Sequence, residues 1–332
     1  MRPFCESAGV KCRGYSLGLQ RAITDFGADD AFGDAPQKLK EHYGIDVPVS
    51  SVRAITERHG TAILSNREIL QTLPRGGVEQ LIGEMDGSMV PIVTIEERRD
   101  KHSPADGRKR RRLIWREARL CMARDTSKVS RRYGATMGTP EQAGELLVDC
   151  VIRTGGGRGT HLHCLGDGAI WIASQVMERL GGPLRLLSFL IDFYHLSEYL
   201  AAAAAVIAGE GKAEWLEKQQ QRMKKNKARE VLEELKACKH HFTGEDEDAV
   251  EACRRYMERR LEYFDYAGAI KEGLPIGTGE VESGHRSVIQ PRLKIPGAWW
   301  KEENAESMLA LRTLRANGDW EAYWLEVRQA AA

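Results

Sequence analysis

A chain of 332 residues, 42% apolar and 29% charged, is long enough for about two domains and has the composition of a protein with a packed core. Disordered and collagen-like architectures are excluded. Its 49 Lys and Arg against 48 Asp and Glu leave a formal charge of +1, which argues at face value against a strongly basic nucleic-acid binder and against an acidic solvating chain.

The longest apolar stretch, Leu184 to Ala208, is interrupted by Arg185, Asp192, His195 and Glu198, so it does not read as a membrane span. Met1 to Gly9 has no apolar core of a secretory signal. The expectation is a soluble, cytoplasmic (nucleoid-associated) protein. Seven cysteines with no CxxC pair argue against a disulfide framework. Cys5 and Cys12 are two candidate zinc ligands, too few to close a four-ligand structural site, and free thiols are the default.

The first sixty residues predict a small helical unit. Asp34 can cap a helix with Pro36 in its first turn and Leu39 and Tyr43 on one side, stopped by Gly44. After a turn, Ser50 and Ser51 can cap a second helix carrying Val52 and Ile55 and ending near Gly60. Helix, short turn, helix is the helix-turn-helix pattern, and the second helix would offer Ser50, Arg53, Thr56, Glu57 and Arg58 to a major groove. Two packed helices with no nucleic acid fit the same residues.

Beyond a polar linker the texture turns to strands, at Gln80 to Val93 and Leu113 to Arg124. Between them Arg98 to Arg112 holds eight Lys or Arg against two Asp, including Arg108, Lys109, Arg110 and Arg111. This is either a phosphate-attracting hairpin tip or a solvated loop. A helix follows from Thr139 to Thr154, then a strand from His161 to Leu165, a helix from Ala169 to Leu180, a strand from Leu184 to Asp192 and a helix from His195 to Ala208. To about Tyr266 the chain reads as all-helical, with Lys218 to Arg229, including Lys224 and Lys225, carrying six cations and no acid. Leu274-Pro275-Ile276 is strand-like, Glu280 to Ile289 helical until Pro291, and a last helical pattern uses Met308, Leu309, Leu311 and Leu314.

Three acids occupy informative places: Asp86 on the first strand, Asp167 at a Gly-bounded strand end, and Glu282 one turn into a helix. A three-stranded meander, a helix, two further strands and a helix, with an acid on the first strand, the fourth strand and the last helix, is the layout of ribonuclease H-like nucleases. Carboxylates are hard oxygen ligands suited to Mg²⁺, and two such ions about 3.5–4 Å apart can serve phosphoryl transfer. His161 and His163 alternate onto one face and Cys164 onto the other, so they do not form one zinc site. Trp299 and Trp300 read either as core or as stacking partners for a base.

Four segments carry a resemblance to a known family: Asp86-Gly87-Ser88-Met89-Val90; Gly166 to Ile172; Asp192-Phe193-Tyr194-His195; and Leu274-Pro275-Ile276-Gly277-Thr278-Gly279-Glu280-Val281-Glu282-Ser283, trailed by Arg292-Leu293-Lys294, Gly297 and Trp300. On these the chain, from about Cys12 to Trp324, resembles the DDE transposases of bacterial insertion sequences. It is most similar to the ISKra-type group, itself similar to Mutator-like transposases.

The resemblance implies an α/β ribonuclease H-like core with Asp86, Asp167 and Glu282 as the acids binding two Mg²⁺ (or Mn²⁺) ions. Glu280 competes for the third place. Glu282 is preferred because it directly precedes the small residue at Ser283, and residues two apart on a helix point about 200° apart. Asp192 and His195 match an Asp-x-x-His signature, implying support of a ligand carboxylate or a phosphate contact, against a histidine that merely packs on its first helical turn. His285 and Arg286 share the Glu282 face and can meet phosphate. The expected division is a helix-turn-helix head (1–62), a core in two parts (75–200 and 274–330) and a helical insertion (201–273). The implied activity is metal-dependent cleavage at element ends and transfer of the 3′-hydroxyl into target DNA. Double-stranded DNA (terminal inverted repeats and target) is the expected partner, with Arg53, Arg58, Arg108 to Arg111, Lys224, Lys225, Arg286, Arg292 and Lys294 on its backbone, in a homodimer or larger assembly. A nuclease without strand transfer and an inactive DNA-binding regulator are the rivals.

Overall fold

Two long strands rich in alternating apolar residues fix the centre of the protein, whose computed structural model describes residues 14–96, 110–238 and 248–331. β1 (Gln80–Glu96), β2 (Arg110–Asp125) and β3 (Arg131–Thr136) form an antiparallel meander. β4 (His161–Gly166) and β5 (Leu186–Ile191) add in parallel on the other side of β1. The order is β3-β2-β1-β4-β5. Strands β1 and β2 run beyond their expected ends until Glu96 faces Arg110. Arg108 and Lys109 lie outside the described residues, as do Cys5 and Cys12. β3 has no strand-period signal to read: its first three residues are half-buried and its last three buried.

Helices cover both faces. On one, α4 (Pro140–Arg153) starts with a capping box between Thr139 and Gln142 and lays Leu146 and Leu147 over Gly134 and Gly83. α5 (Ile170–Leu180) follows β4. After β5, α6 (Phe193–Ile207) begins two residues earlier than expected, because Asp192 Oδ1 accepts the amides of Tyr194 (2.6 Å) and His195 (3.0 Å). The described residues of 201–273 hold helices and no strand: the end of α6, then α7 (Lys212–Lys224), α8 (Ala228–Ala237), α9 (Ala249–Glu258) and α10 (Tyr266–Lys271).

Leu274-Pro275-Ile276 is not a strand. Its carbonyls are taken up individually, Ile276 O by Phe193 N at 2.8 Å and Pro275 O by His163 Nε2 at 2.9 Å. Then α11 (Gly279–Gly284), a π-turn (His285–Ile289) and α12 (Gln290–Leu293) run on continuously. Pro291 does not stop the helix: the carbonyl four residues back that it cannot serve, Ser287 O, accepts from Arg312 Nη2 instead. α13 (Glu302–Ala316) and α14 (Trp320–Gln329) complete the chain.

The head has three helices, α1 (Leu17–Asp29), α2 (Ala35–Tyr43) and α3 (Val49–Asn66), around its own core of Ile23, Ala35, Leu39, Val47, Val52 and Ile55. Gly60 does not end α3. It marks the crossing with α13, where a Cβ would stand 2.7 Å from Ser307 O. The head is seated on the core rather than tethered: His59 Nδ1 lies 2.7 Å from Tyr323 Oη, and Arg292 Nε donates to Gly27 O at 3.0 Å. Thr56, expected at a DNA-facing surface, is fully buried. Among the described residues no helix is long and apolar enough to cross a membrane.

Candidate active site

The parallel pairing of β1 with β4 ends at Met85 and Gly166, so Asp86 and Asp167 follow side by side at that point of the sheet. Asp86 Oδ1 accepts its neighbour's amide, Gly87 N, at 2.7 Å. Asp167 Oδ1 accepts Ala169 N at 2.8 Å. Burial pushes the Asp167 carboxyl above the usual carboxylate range and the charge of Asp86 adds to this, while the Ala169 amide, His195 and Arg260 oppose it. A buried carboxyl whose ionisation is opposed by a neighbouring carboxylate is a common mark of a functional site.

The helical insertion closes on this turn. Tyr256 Oη donates to Asp167 O at 2.7 Å, and Arg260 Nε donates to Gly168 O at 2.6 Å while its guanidinium lies 4.1 Å over the Tyr256 ring. Tyr199 stacks on the same ring at 4.2 Å, and His195 meets its edge at 5.9 Å. Sequence reading passes over Tyr256 and Arg260, since they sit about 90 residues from Asp167 within an unremarkable charged helix.

Glu280 and Glu282 separate as the helical spacing predicts. Glu280 is held by Arg124 (2.7 Å) and Arg131 (2.6 Å). Burial pushes its carboxyl up, but the hydrogen bonds from the two arginines outweigh this and leave it below the usual range. Glu282 is exposed on the flank of α11. The buried side of that helix presents Val281, Gly284 and His285 instead. His285, expected to face DNA, turns inward, with Nε2 3.1 Å from Asp86 Oδ2. Glu84, another acid that sequence reading passes over, lies two residues before Asp86 on the same side of β1. It is 1% exposed, its Oε2 accepts Val281 N at 2.7 Å and its Oε1 has no partner. Burial pushes its carboxyl up to about 8.

Among the described residues no three His, Cys, Asp or Glu side chains converge closely enough to hold a metal ion. The structure brings Asp86 and Asp167 together and leaves Glu282 apart. Both oxygens of Asp192 are engaged locally: one caps α6, and the other accepts Thr278 N at 2.7 Å and the Thr278 hydroxyl. The side chain clamps the Leu274-to-Thr278 loop to the end of β5. His195 remains near Asp167, its Nδ1 3.6 Å from Glu198.

The expected DNA-facing cations scatter. Arg292 is corrected: it is 2% exposed, packed between Phe32 (4.2 Å) and Trp300 (4.7 Å), and burial draws its guanidinium down to about 10. Lys224 lies 4.8 Å over the Phe193 ring, Lys294 is half-buried, and Lys225 and Arg286 are exposed. Arg53 pairs with Glu57 at 2.9 Å and Arg58 donates to Gln20 at 2.7 Å. Arg53, Arg111, Lys301 and the exposed Trp299 line one groove of about 360 Å³, with the buried Trp300 and Arg292 in its wall. The paired histidines are structural: His163 Nδ1 lies 2.8 Å and His161 Nε2 3.4 Å from Ser188 Oγ. Cys121, Cys150, Cys164, Cys238 and Cys253 are free thiols.

No protein-family model matches the chain. The UPF0236 protein in the vanSb 3′ region of Streptococcus gallolyticus is 25% identical over 170 residues, 50% of this chain and 36% of that protein. The chain thus spans about a third of the length of the curated relative it matches. The solved Drosophila P element transposase strand transfer complex aligns with 98% of this chain and 84% of its own, at 10% identity and a TM-score of 0.31, a likeness too slight to carry an argument.

Proposed function

We propose that this chain is a DDE transposase, a metal-dependent enzyme that cleaves DNA at element ends and joins the freed 3′-hydroxyl to target DNA, built on a ribonuclease H-like core. The observation that carries the reading is the juxtaposition of Asp86 and Asp167 on adjacent parallel strands of a β3-β2-β1-β4-β5 sheet, with an acid-bearing helix packed over β1 and β2. The motifs around these acids are the ones that resemble the transposases of insertion sequences.

The donor chemistry fits a hard divalent cation, Mg²⁺ or Mn²⁺: two carboxylates side by side, one raised by burial and by its neighbour's charge, a cost that a cation relieves. Asp86 and Asp167 would hold it, and Glu282 would complete the set by approaching from the flank of α11. Bound there, the metal would supply Lewis-acid stabilisation of the charge that develops on phosphate oxygens. The protein's own contribution is placement. Gly87 and Ala169 amides orient the two carboxylates, Tyr256 and Arg260 hold the Asp167 turn, and Arg124 with Arg131 keep Glu280 out of the site. Arg111, Lys225 and Arg286, exposed on different elements, would neutralise DNA backbone.

The deciding experiment incubates the protein with labelled DNA bearing the inverted repeats that flank its reading frame, plus target DNA and Mg²⁺ or Mn²⁺. Cleaved and joined products are expected, with Asp167→Ala abolishing both and leaving DNA binding intact. Cleavage unaffected by Asp167→Ala would refute the acid assignment. The separation of Glu282 from the aspartate pair favours a second reading, a DNA-binding regulator derived from such an enzyme, which predicts DNA binding with no metal-dependent product from the wild-type chain.

A further inference from the structure

Strand β1 and the helix above it are commensurate. Residues 84 and 86 stand about 6.6 Å apart along a strand, and residues 281 and 285 about 6 Å apart along a helix. The structure joins them in that register: Glu84 Oε2 accepts Val281 N at 2.7 Å, and His285 Nε2 lies 3.1 Å from Asp86 Oδ2. Gly284 permits this close approach, because a Cβ there would stand 2.8 Å from the Tyr133 ring and 2.9 Å from Leu120. The π-turn begins at His285, and such widened turns cluster at functional sites.

The imidazole is 4% exposed and neither of its nitrogens has a hydrogen-bond partner. Its approach to Asp86 is close enough for an ion pair yet out of line for a hydrogen bond. A buried imidazole left unsatisfied on both sides is costly, and a small ring rotation toward Asp86 would supply the missing partner. Asp86 has an oxygen to offer, since Gly87 N engages Oδ1 and leaves Oδ2 facing the ring.

We propose that His285 is a positioning residue for the metal-binding carboxylate Asp86: its Nε2–H holds Oδ2 and, with Gly87 N on Oδ1, fixes the plane in which the carboxylate meets a divalent cation. The proposal rests on the cation seat described above and assigns it a partner from the helix, of the kind that orients metal ligands elsewhere. Glu84 sets the height of that helix over β1, so that the imidazole arrives opposite Asp86.

The test measures Mn²⁺ binding to the full chain without DNA, by electron paramagnetic resonance, for the wild type, His285→Phe and His285→Gln. Both substitutions fill the buried space, but only glutamine retains an N–H donor. His285→Phe is expected to weaken Mn²⁺ binding about 10- to 100-fold. It should raise the Mn²⁺ concentration needed for half-maximal cleavage more than it lowers the maximal rate, with DNA affinity unchanged. His285→Gln should recover part of the loss. Mn²⁺ binding by His285→Phe equal to wild type overturns the role of His285 and leaves the cation seat standing. A wild type that takes up no Mn²⁺ overturns both. Equal losses in Phe and Gln variants, with unchanged unfolding temperatures, overturn the donor role.

Discussion

Replacing Glu84 by Gln should remove a pH dependence of stability that the wild-type fold carries. Glu84 is 1% exposed and its carboxyl is raised from an ordinary 4.5 to about 8 by burial. A carboxyl raised in the folded state keeps its proton there after the unfolded chain has lost it. Its neutral form suits the fold fully below about pH 4.5, and that advantage drains away as pH rises toward 8. Between those limits the slope is about 1.4 kcal/mol per pH unit whatever the upper value, so pH 5 to 7 should cost the wild type about 2.7 kcal/mol through this residue. Glutamine retains an acceptor for Val281 N and cannot ionise. Its amide nitrogen enters a place where Glu84 Oε1 has no partner, a penalty that does not vary with pH. Urea unfolding of both proteins at pH 5, 6 and 7 in chelator should show the Gln variant gaining on the wild type by about 2.7 kcal/mol over that range, since every other titrating group is shared. A stability difference that stays constant with pH would refute the burial argument.

The opposite sign is expected at His59, which burial, then the charge of Arg58, pulls down from 6.5 to about 4. Its neutral form supports the fold above pH 6.5, and about 3 kcal/mol is lost as pH falls from there to 4; limited proteolysis should show the head loosening from α14, and His59→Gln should flatten the response. Tyr256→Phe deletes the hydrogen bond to Asp167 O and should cost about 1 kcal/mol, while lowering the cleavage rate with little change in DNA affinity. Arg286→Ala should reduce the slope of log affinity against log salt by about 1. Arg292→Ala should leave that slope alone and instead destabilise the fold by about 2 kcal/mol, by emptying the space between Phe32 and Trp300; equal salt slopes for the wild type and Arg286→Ala would show that the exposed arginine does not face DNA.

The parts of the architecture written in local chemistry were readable from the chain. Thr139 opens α4, Gly44 ends α2, and the apolar texture of Gln80 to Val93 and Leu113 to Arg124 gives the β1-β2 pair. What was hidden depends on partners distant in sequence. Gly60 reads as a helix stop until α13 is seen to cross there, and Leu274-Pro275-Ile276 reads as a strand until its carbonyls are found bound to Phe193 and His163. At the candidate site, the sequence marks the positions of Asp86, inside β1 and before Gly87, and of Asp167, at the Gly-bounded end of β4, by their neighbouring glycines. Glu84 was not legible, since an acid inside an apolar strand becomes informative only when a helix end descends on it. Helical periodicity placed His285 and Glu282 on one face toward metal and phosphate; in the structure the two part, Glu282 exposed and His285 buried toward the sheet, where the missing side chain at Gly284 lets the helix approach.

The formal charge of +1 is compatible with the proposed DNA substrate because of how the cations are spent. Arg53, Arg124, Arg131, Arg222, Arg312 and Arg315 are each within ion-pair distance of a carboxylate, and Arg292 is buried between rings. Such residues count in the sum yet offer little to phosphate, because a paired guanidinium must first give up its partner. Arg111, Lys225 and Arg286 are exposed without an ion pair among the described residues, and they lie on the hairpin, the insertion and the helix beside Asp86. Because Arg292 and His59 fasten the head to the helices that follow Glu282, DNA touching the head would meet the acids at a fixed offset rather than through a swinging linker. The favourable charge for DNA would then come from a few unspent cations at set distances from the aspartate pair, and a total near zero is no obstacle to binding.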